Sequence, residues 1–118
     1  MNRLFGALAF ALFTLSAGAH TPLKSSVPAE GASVPPPVAA LTLEFGDAVR
    51  LTALSLADGA GTAKGLDELP TTIDAKFTIA VRDDLPPGDY VATWRAVGAD
   101  THVISGEIHF KIAAPSSR

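Results

Sequence analysis

Apolar and polar side chains alternate with a period of two through much of this chain. Leu41, Leu43 and Phe45 alternate with Thr42 and Glu44, and Ile73, Ala75, Phe77, Ile79 and Val81 with Asp74, Lys76 and Thr78. Tyr90, Ala92, Trp94 and Ala96 form a third set, and Ile108, Phe110 and Ile112 a fourth, between Glu107, His109 and Lys111. A period of two puts each apolar set on one face, which predicts half-buried antiparallel strands. Two less regular runs, residues 23–27 and 49–56, add further strands. The breaks are strong: Pro35-Pro36-Pro37, Asp58-Gly59-Ala60-Gly61, and the stretch from Asp83 to Gly88 with its paired prolines. Residues 57–72 read as a long loop with a helical turn at 66–69. With no long helical period, no internal repeat and no linker, the pattern predicts an all-β single domain. The expected architecture is a small Greek-key β-sandwich of the immunoglobulin-like kind.

The first nineteen residues follow another pattern. One positive side chain, Arg3, precedes an apolar or small-residue run over residues 4–15, broken only by Thr14. Ser16-Ala17-Gly18-Ala19 then places small residues at −3 and −1 of a cut after Ala19. A charged start, a short apolar run and an A-x-A-like end describe a cleaved Sec signal peptide, and the run is too short to span a bilayer. The expected division is a signal peptide at 1–19, a sandwich at 20–114 and a loose tail at 115–118. Export across the inner membrane to a bacterial periplasm follows.

Removing 19 of the 118 residues leaves 99, beginning at His20, and takes the net charge from −3 to −4 because Arg3 is lost. Such a balance offers no basic patch for a phosphate backbone, so nucleic acid is excluded as a partner. Cysteine is absent, and Met1 is the single methionine. The exported chain therefore has no sulfur atom. Disulfide scaffolds, thiolate zinc sites, iron–sulfur clusters, cysteine nucleophiles and thiolate blue-copper centres all fall away.

Three histidines carry the candidate chemistry. His109 lies on the polar face of the last strand and reads as a solvated strand histidine. His102 follows Asp100 by two positions, and in an extended segment residues i and i+2 project to the same side, so a carboxylate and an imidazole are presented together. His20 becomes the N-terminal residue after cleavage. Its α-amine and its ring Nδ1 close a six-membered chelate on one metal ion, and both nitrogens can deprotonate around neutral pH. With His102 and Asp100 added, three nitrogens and one oxygen make a tetragonal set, the arrangement that suits Cu(II); zinc is the chemical competitor. The terminal copper mode that needs histidine at position three is excluded, because Pro22 stands there without an amide hydrogen.

Over nearly the whole mature region the chain resembles the CopC family of periplasmic copper-resistance proteins. The resemblance rests on His20 directly after the signal peptide, on Ser26-Val27-Pro28-Ala29-Glu30-Gly31-Ala32, on the run from Leu85-Pro86-Pro87-Gly88-Asp89-Tyr90 to Trp94-Arg95, and on the D-x-H at 100–102 followed by Ser105-Gly106. It implies a cupredoxin-like β-sandwich binding one Cu(II) per chain through His20, Asp100 and His102. Asp47 matches a position where some members add a carboxylate. One carbon shorter than glutamate, it is expected to support the site or bind axially. The loop at 57–72 lacks the methionine and histidine of members that also hold Cu(I), so a Cu(II)-only member is implied, with no Cu(I) site. A CopD-type inner-membrane copper transporter, or other copper-resistance components, are the partners the resemblance suggests.

Two other functions are set against that of a non-enzymatic copper carrier or buffer. A histidine-brace oxidative enzyme needs an open coordination position and a broad aromatic surface for polysaccharide, and the chain has one tryptophan and one tyrosine. A metal-free structural sandwich would bind Cu(II) no better than an unfolded peptide with the same terminal histidine. A hydrolase built on Ser105 is excluded by the lack of a nucleophile motif and of an oxyanion site.

Overall fold

The computed structural model describes residues 23–115, and every element in that range is a strand. The signal segment, His20 and residues 116–118 lie outside the described residues. The strands are β1 (Leu23–Val27), β2 (Ala32–Val34), β3 (Ala40–Asp58), β4 (Ala63–Lys64), β5 (Ile73–Ala80), β6 (Gly88–Gly98) and β7 (Val103–Ile112). All four alternating runs fall in strands, apart from Val81 just beyond the end of β5, and the architecture is the expected β-sandwich.

The long strand β3 organises the molecule. The sequence predicts two strands here, separated by Gly46-Asp47-Ala48; the structure runs them together over 19 residues. Along one edge β3 pairs antiparallel with β5, from Ala40 opposite Ala80 to Arg50 opposite Ile73. Its other edge is shared: β1 takes Thr42 to Phe45, and β6 takes Val49 to Asp58. The strand thus serves one layer with its first half and the layer of β6, β7 and β2 with its second. At the changeover Glu44 pairs with Lys76 and Val49 with Asp74, so β3 advances five residues while β5 advances two. That irregularity leaves Gly46, Asp47 and Ala48 exposed at the rim.

A second irregularity explains why residues 49–56 look disordered in their polarity. Leu51 pairs with Ala96 and Ala53 with Arg95, so Thr52 is an extra residue on β3. One extra residue reverses which face the following side chains take. Buried positions shift from Val49 and Leu51 to Leu56, with Leu54 packed against the core.

Trp94, Phe45, Leu43, Leu56 and Ile112 are the largest fully buried side chains. The Phe45 ring meets Trp94 edge-on at 5.2 Å between centroids, and Phe77 at 6.2 Å. A Cβ on Gly106 would stand 2.8 Å from the Trp94 ring, so only glycine fits opposite the indole on β7. Tyr90 stacks on Phe110, and its hydroxyl donates to the Pro86 carbonyl at 2.5 Å.

Residues 57–72 depart from expectation. Instead of a loop with a helical turn, β4 pairs with Leu56 and Ala57, and Leu66 bridges to Val81. The Asp67 amide donates to the Ala80 carbonyl and the Gly65 amide to Asp83, which holds 65–67 extended. Leu66 and Leu69 pack against the core from this extended path, which satisfies the apolar pair without a helix. Asp58 closes the β3–β4 turn by accepting from the Ala60 and Thr62 amides, and those bonds, led by Thr62, hold its carboxyl below the usual range. The short β2, too brief to read from sequence, pairs parallel to β7.

Candidate functional site

The D-x-H segment sits on the hairpin between β6 and β7. The Thr101 amide donates to the Gly98 carbonyl at 2.9 Å, and the Gly98 amide to the His102 carbonyl at 3.1 Å. Thr101 takes the left-handed conformation, with φ of 66°. A turn followed by one left-handed residue is a standard close for a short hairpin, though glycine usually takes that place. A β-branched residue there costs about 1–2 kcal/mol; the Thr101 hydroxyl donates to the Asp100 carbonyl at 2.5 Å and offsets part of it.

This backbone brings the two predicted side chains together. His102 Nδ1 lies 2.7 Å from Asp100 Oδ2, and the His102 amide donates to Asp100 Oδ1 at 3.1 Å. The hydrogen bond from the imidazole, then that from the amide, holds the Asp100 carboxyl below its usual range. In return the carboxylate raises the His102 imidazole above its ordinary value. With Nδ1–H donated to a carboxylate, the ring tautomer is set and Nε2 keeps its lone pair for a ligand. Both side chains are well exposed, at 81% for His102 and 68% for Asp100, so an ion reaches them without opening the fold.

Asp47 joins them from the rim of β3. A cleft of about 610 Å³ is lined by Asp47, Val49, Gly98, Asp100, His102 and Ile104. Val49 pairs with Gly98, so the register of β3 on β6 sets the Asp47 rim beside the hairpin. Three of the four predicted site residues therefore share one cleft, and the fourth, His20, lies outside the described residues. Among the described residues no three histidine or acidic side chains converge closely enough to hold an ion by themselves. Sequence reasoning did not include Val49 and Ile104, the apolar floor of the cleft, because alternation assigns them only to strand faces.

His109 is exposed on β7, as its place in the pattern predicts, yet it is not simply solvated. Glu30, far away in sequence, accepts a bond from the His109 amide at 2.8 Å, and Glu107 lies on the other side of the ring.

The fold and the loop together define a class: single-domain β-sandwiches with an Asp-x-His hairpin at the end where the two layers part. Within that class the match is specific. The CopC domain model matches residues 23–113, and the chain belongs to the CopC family. It is 34% identical over 111 residues to a protein named Copper resistance protein C from Pseudomonas syringae pv. tomato, covering 86% of each chain. It is 32% identical over 106 residues to Copper resistance protein C from Escherichia coli, covering 82% of this chain and 84% of the relative. Among solved structures, PcoC from Escherichia coli, described as a methionine-rich copper resistance protein, superposes with a TM-score of 0.65 at 31% identity, covering 80% of this chain and 99% of that one. CopC from Methylosinus trichosporium OB3b shares the fold with a TM-score of 0.70 at 21% identity, covering 84% of this chain and 99% of that one.

Proposed function

We propose that the protein is a periplasmic copper-homeostasis and resistance protein that carries or buffers one Cu(II), without catalysis. The ligands are the α-amine and Nδ1 of His20, exposed by cleavage after Ala19, with the His102 imidazole and an Asp100 oxygen; Asp47 supports the ion or binds it axially. One observation carries this reading. Leu23, three residues after His20, pairs with Phe45, two residues before Asp47, at the rim that shares a cleft with Asp100 and His102. Three extended residues reach about 10 Å, so the terminal chelate needs no rearrangement of the sandwich to meet the hairpin. The Asp100–His102 pair supports the same reading, since a carboxylate-oriented imidazole with Nε2 open is a common metal-binding arrangement.

The preference for Cu(II) over Cu(I) rests on the donor set. The relative PcoC is described as methionine-rich, whereas Met1 is the single methionine here and is lost with the signal peptide. Imidazole, amine and carboxylate favour Cu(II), and soft sulfur ligands for Cu(I) are lacking. A CopD-type membrane transporter fits as the component that exchanges the ion.

The test is a Cu(II) titration of protein exported and processed by a bacterial host, read by EPR after its N-terminus has been determined. We expect a start at His20 and one tight equivalent with a tetragonal, nitrogen-rich spectrum. His102→Ala should weaken that equivalent at least tenfold and change the spectrum while the circular dichroism stays the same. A different start, or only weak heterogeneous copper, would overturn the reading.

A further inference from the structure

The strand β7 carries a second pair of the same spacing, Glu107 and His109, and the fold adds a third group to it. Two residues apart on a strand, Glu107 and His109 project from one face. Glu30, from the loop between β1 and β2, meets the imidazole from its other side. His109 Nδ1 lies 3.3 Å from both Glu30 oxygens, while Nε2 lies 3.3 Å from Glu107 Oε1. Glu30 is itself held in place, because Oε1 accepts the His109 amide at 2.8 Å and the neighbouring Gly31 amide donates to the His109 carbonyl.

An imidazole between two carboxylates poses a definite chemical question. A neutral ring has one N–H, and Glu30, fixed by backbone bonds on both sides, is the better-placed acceptor. Nε2 then presents a lone pair toward a carboxylate oxygen. Two acceptors facing each other at 3.3 Å repel unless a cation lies between them. A four-coordinate ion with bonds of about 2.0–2.1 Å and tetrahedral angles separates adjacent ligands by about 3.3 Å. The observed spacing matches that of two ligands on one ion.

We propose that His109 Nε2 and Glu107 form a second, two-ligand site for a divalent transition-metal ion, with Glu30 orienting the imidazole and water completing the shell. Imidazole with carboxylate suits both Cu(II) and Zn(II), and the tetrahedral spacing favours Zn(II); the nitrogen disfavours Mg²⁺ and Ca²⁺. The arrangement of Glu30, imidazole and ion is the carboxylate–histidine pairing by which proteins fix a ligating ring. The site opens on a cleft of about 690 Å³ that Glu30, Glu107 and His109 line together with Lys24 and Ser25. His109 and Glu107 are each more than half exposed, so the ion enters from solvent and binds more weakly than it would in a closed site. Lys24 is the opposing charge at this cleft, and its ammonium is drawn 3.8 Å from Glu44. Lys111, two residues beyond His109, shares its strand face and restrains affinity further. His109 stands seven positions after His102 along β7 and its hairpin, about 23 Å of extended strand, so the two sites load separately. This inference does not depend on the proposed function.

The test uses full-length processed protein, titrated with CuCl₂ and, in parallel, ZnCl₂, by calorimetry and by NMR of the imidazole nitrogens. In protein that carries His102→Ala and an additional residue before His20, which together remove the first site, we expect one equivalent to remain, with metal-dependent change at His109 Nε2 and at no other ring nitrogen of β7. Glu107→Gln, whose only ionic partner among the described residues is His109, should weaken that equivalent about tenfold, and His109→Ala should abolish it. Glu30→Gln should weaken it and shift the ring tautomer. In the parent protein, His109→Ala should leave the tight first equivalent as it was. A His109 ring that carries both protons and ignores either metal near neutral pH would show that a proton alone fills the gap, and would overturn the proposal. So would an equivalent unaffected by Glu107→Gln and His109→Ala. Failure of the His20 site instead removes the first equivalent and leaves these results standing.

Discussion

At the scale of single residues, Tyr90 is the clearest case in which environment changes chemistry. It is 4% exposed, its hydroxyl is bonded to Pro86, and burial, with a smaller contribution from Asp58, raises its phenol above the ordinary value of 10.0. A group neutral in the fold and freer to ionise when unfolded contributes stability that is complete below the unfolded pKa and is lost as pH rises through the folded one. Because Tyr90 is the single tyrosine, its ultraviolet phenolate signal is unambiguous. We expect a titration midpoint above about 10 in native protein and near 10 in urea, and a flatter alkaline loss of stability in Tyr90→Phe. The residue scale is also where sequence was most legible. Asp100 and His102 stand two positions apart, as the spacing suggests, but they meet through a turn with Thr101 left-handed and not through the extended segment that the spacing argument assumes. Glu30 and His109 show the opposite: no spacing rule links them, and only the parallel pairing of β2 with β7 brings the loop to the ring.

At the scale of elements, strict alternation identified the regular strands and failed where β3 inserts extra residues. An irregularity is invisible to a period-two count, because the positions after it carry the wrong parity. Thr52 is the decisive insertion, and its hydroxyl donates to the Arg95 carbonyl across the pair. Deleting Thr52 would restore simple pairing with Leu54 and Leu56 still facing inward, whereas one further alanine after Ala53 would turn both outward. We expect that insertion to abolish the near-ultraviolet signal of buried Trp94 and the cooperative urea transition, and the deletion to keep both. Thr52→Ala, which keeps the count, should lower stability by about 1 kcal/mol or less. The segment at 65–67 makes the same point about local signals. Leu66 and Leu69 suggest a helical turn, but backbone bonds to Ala80 and Asp83 hold the segment extended.

At the scale of the whole molecule, the layers and their number followed from the spacing of strands and breaks. How one strand serves both layers did not, since that depends on which neighbour takes each stretch of its edge. This arrangement decides what surrounds the cleft. An additional residue before His20 turns the α-amine into an amide that cannot donate a lone pair. We expect that extension to weaken Cu(II) binding at least a hundredfold, with an unchanged urea midpoint, as read by competition against a chelator of known affinity. The sharing of β3 between β1 and β6 has a consequence in time as well as in space. Phe45 pairs with β1 and Val49 with β6, so the rim that carries Asp47 is framed on both sides only once both ends of the chain have folded onto the middle. On the proposed reading, a nascent or partly folded chain offers an ion only the terminal chelate, and the full ligand set exists only when the last hairpin has closed.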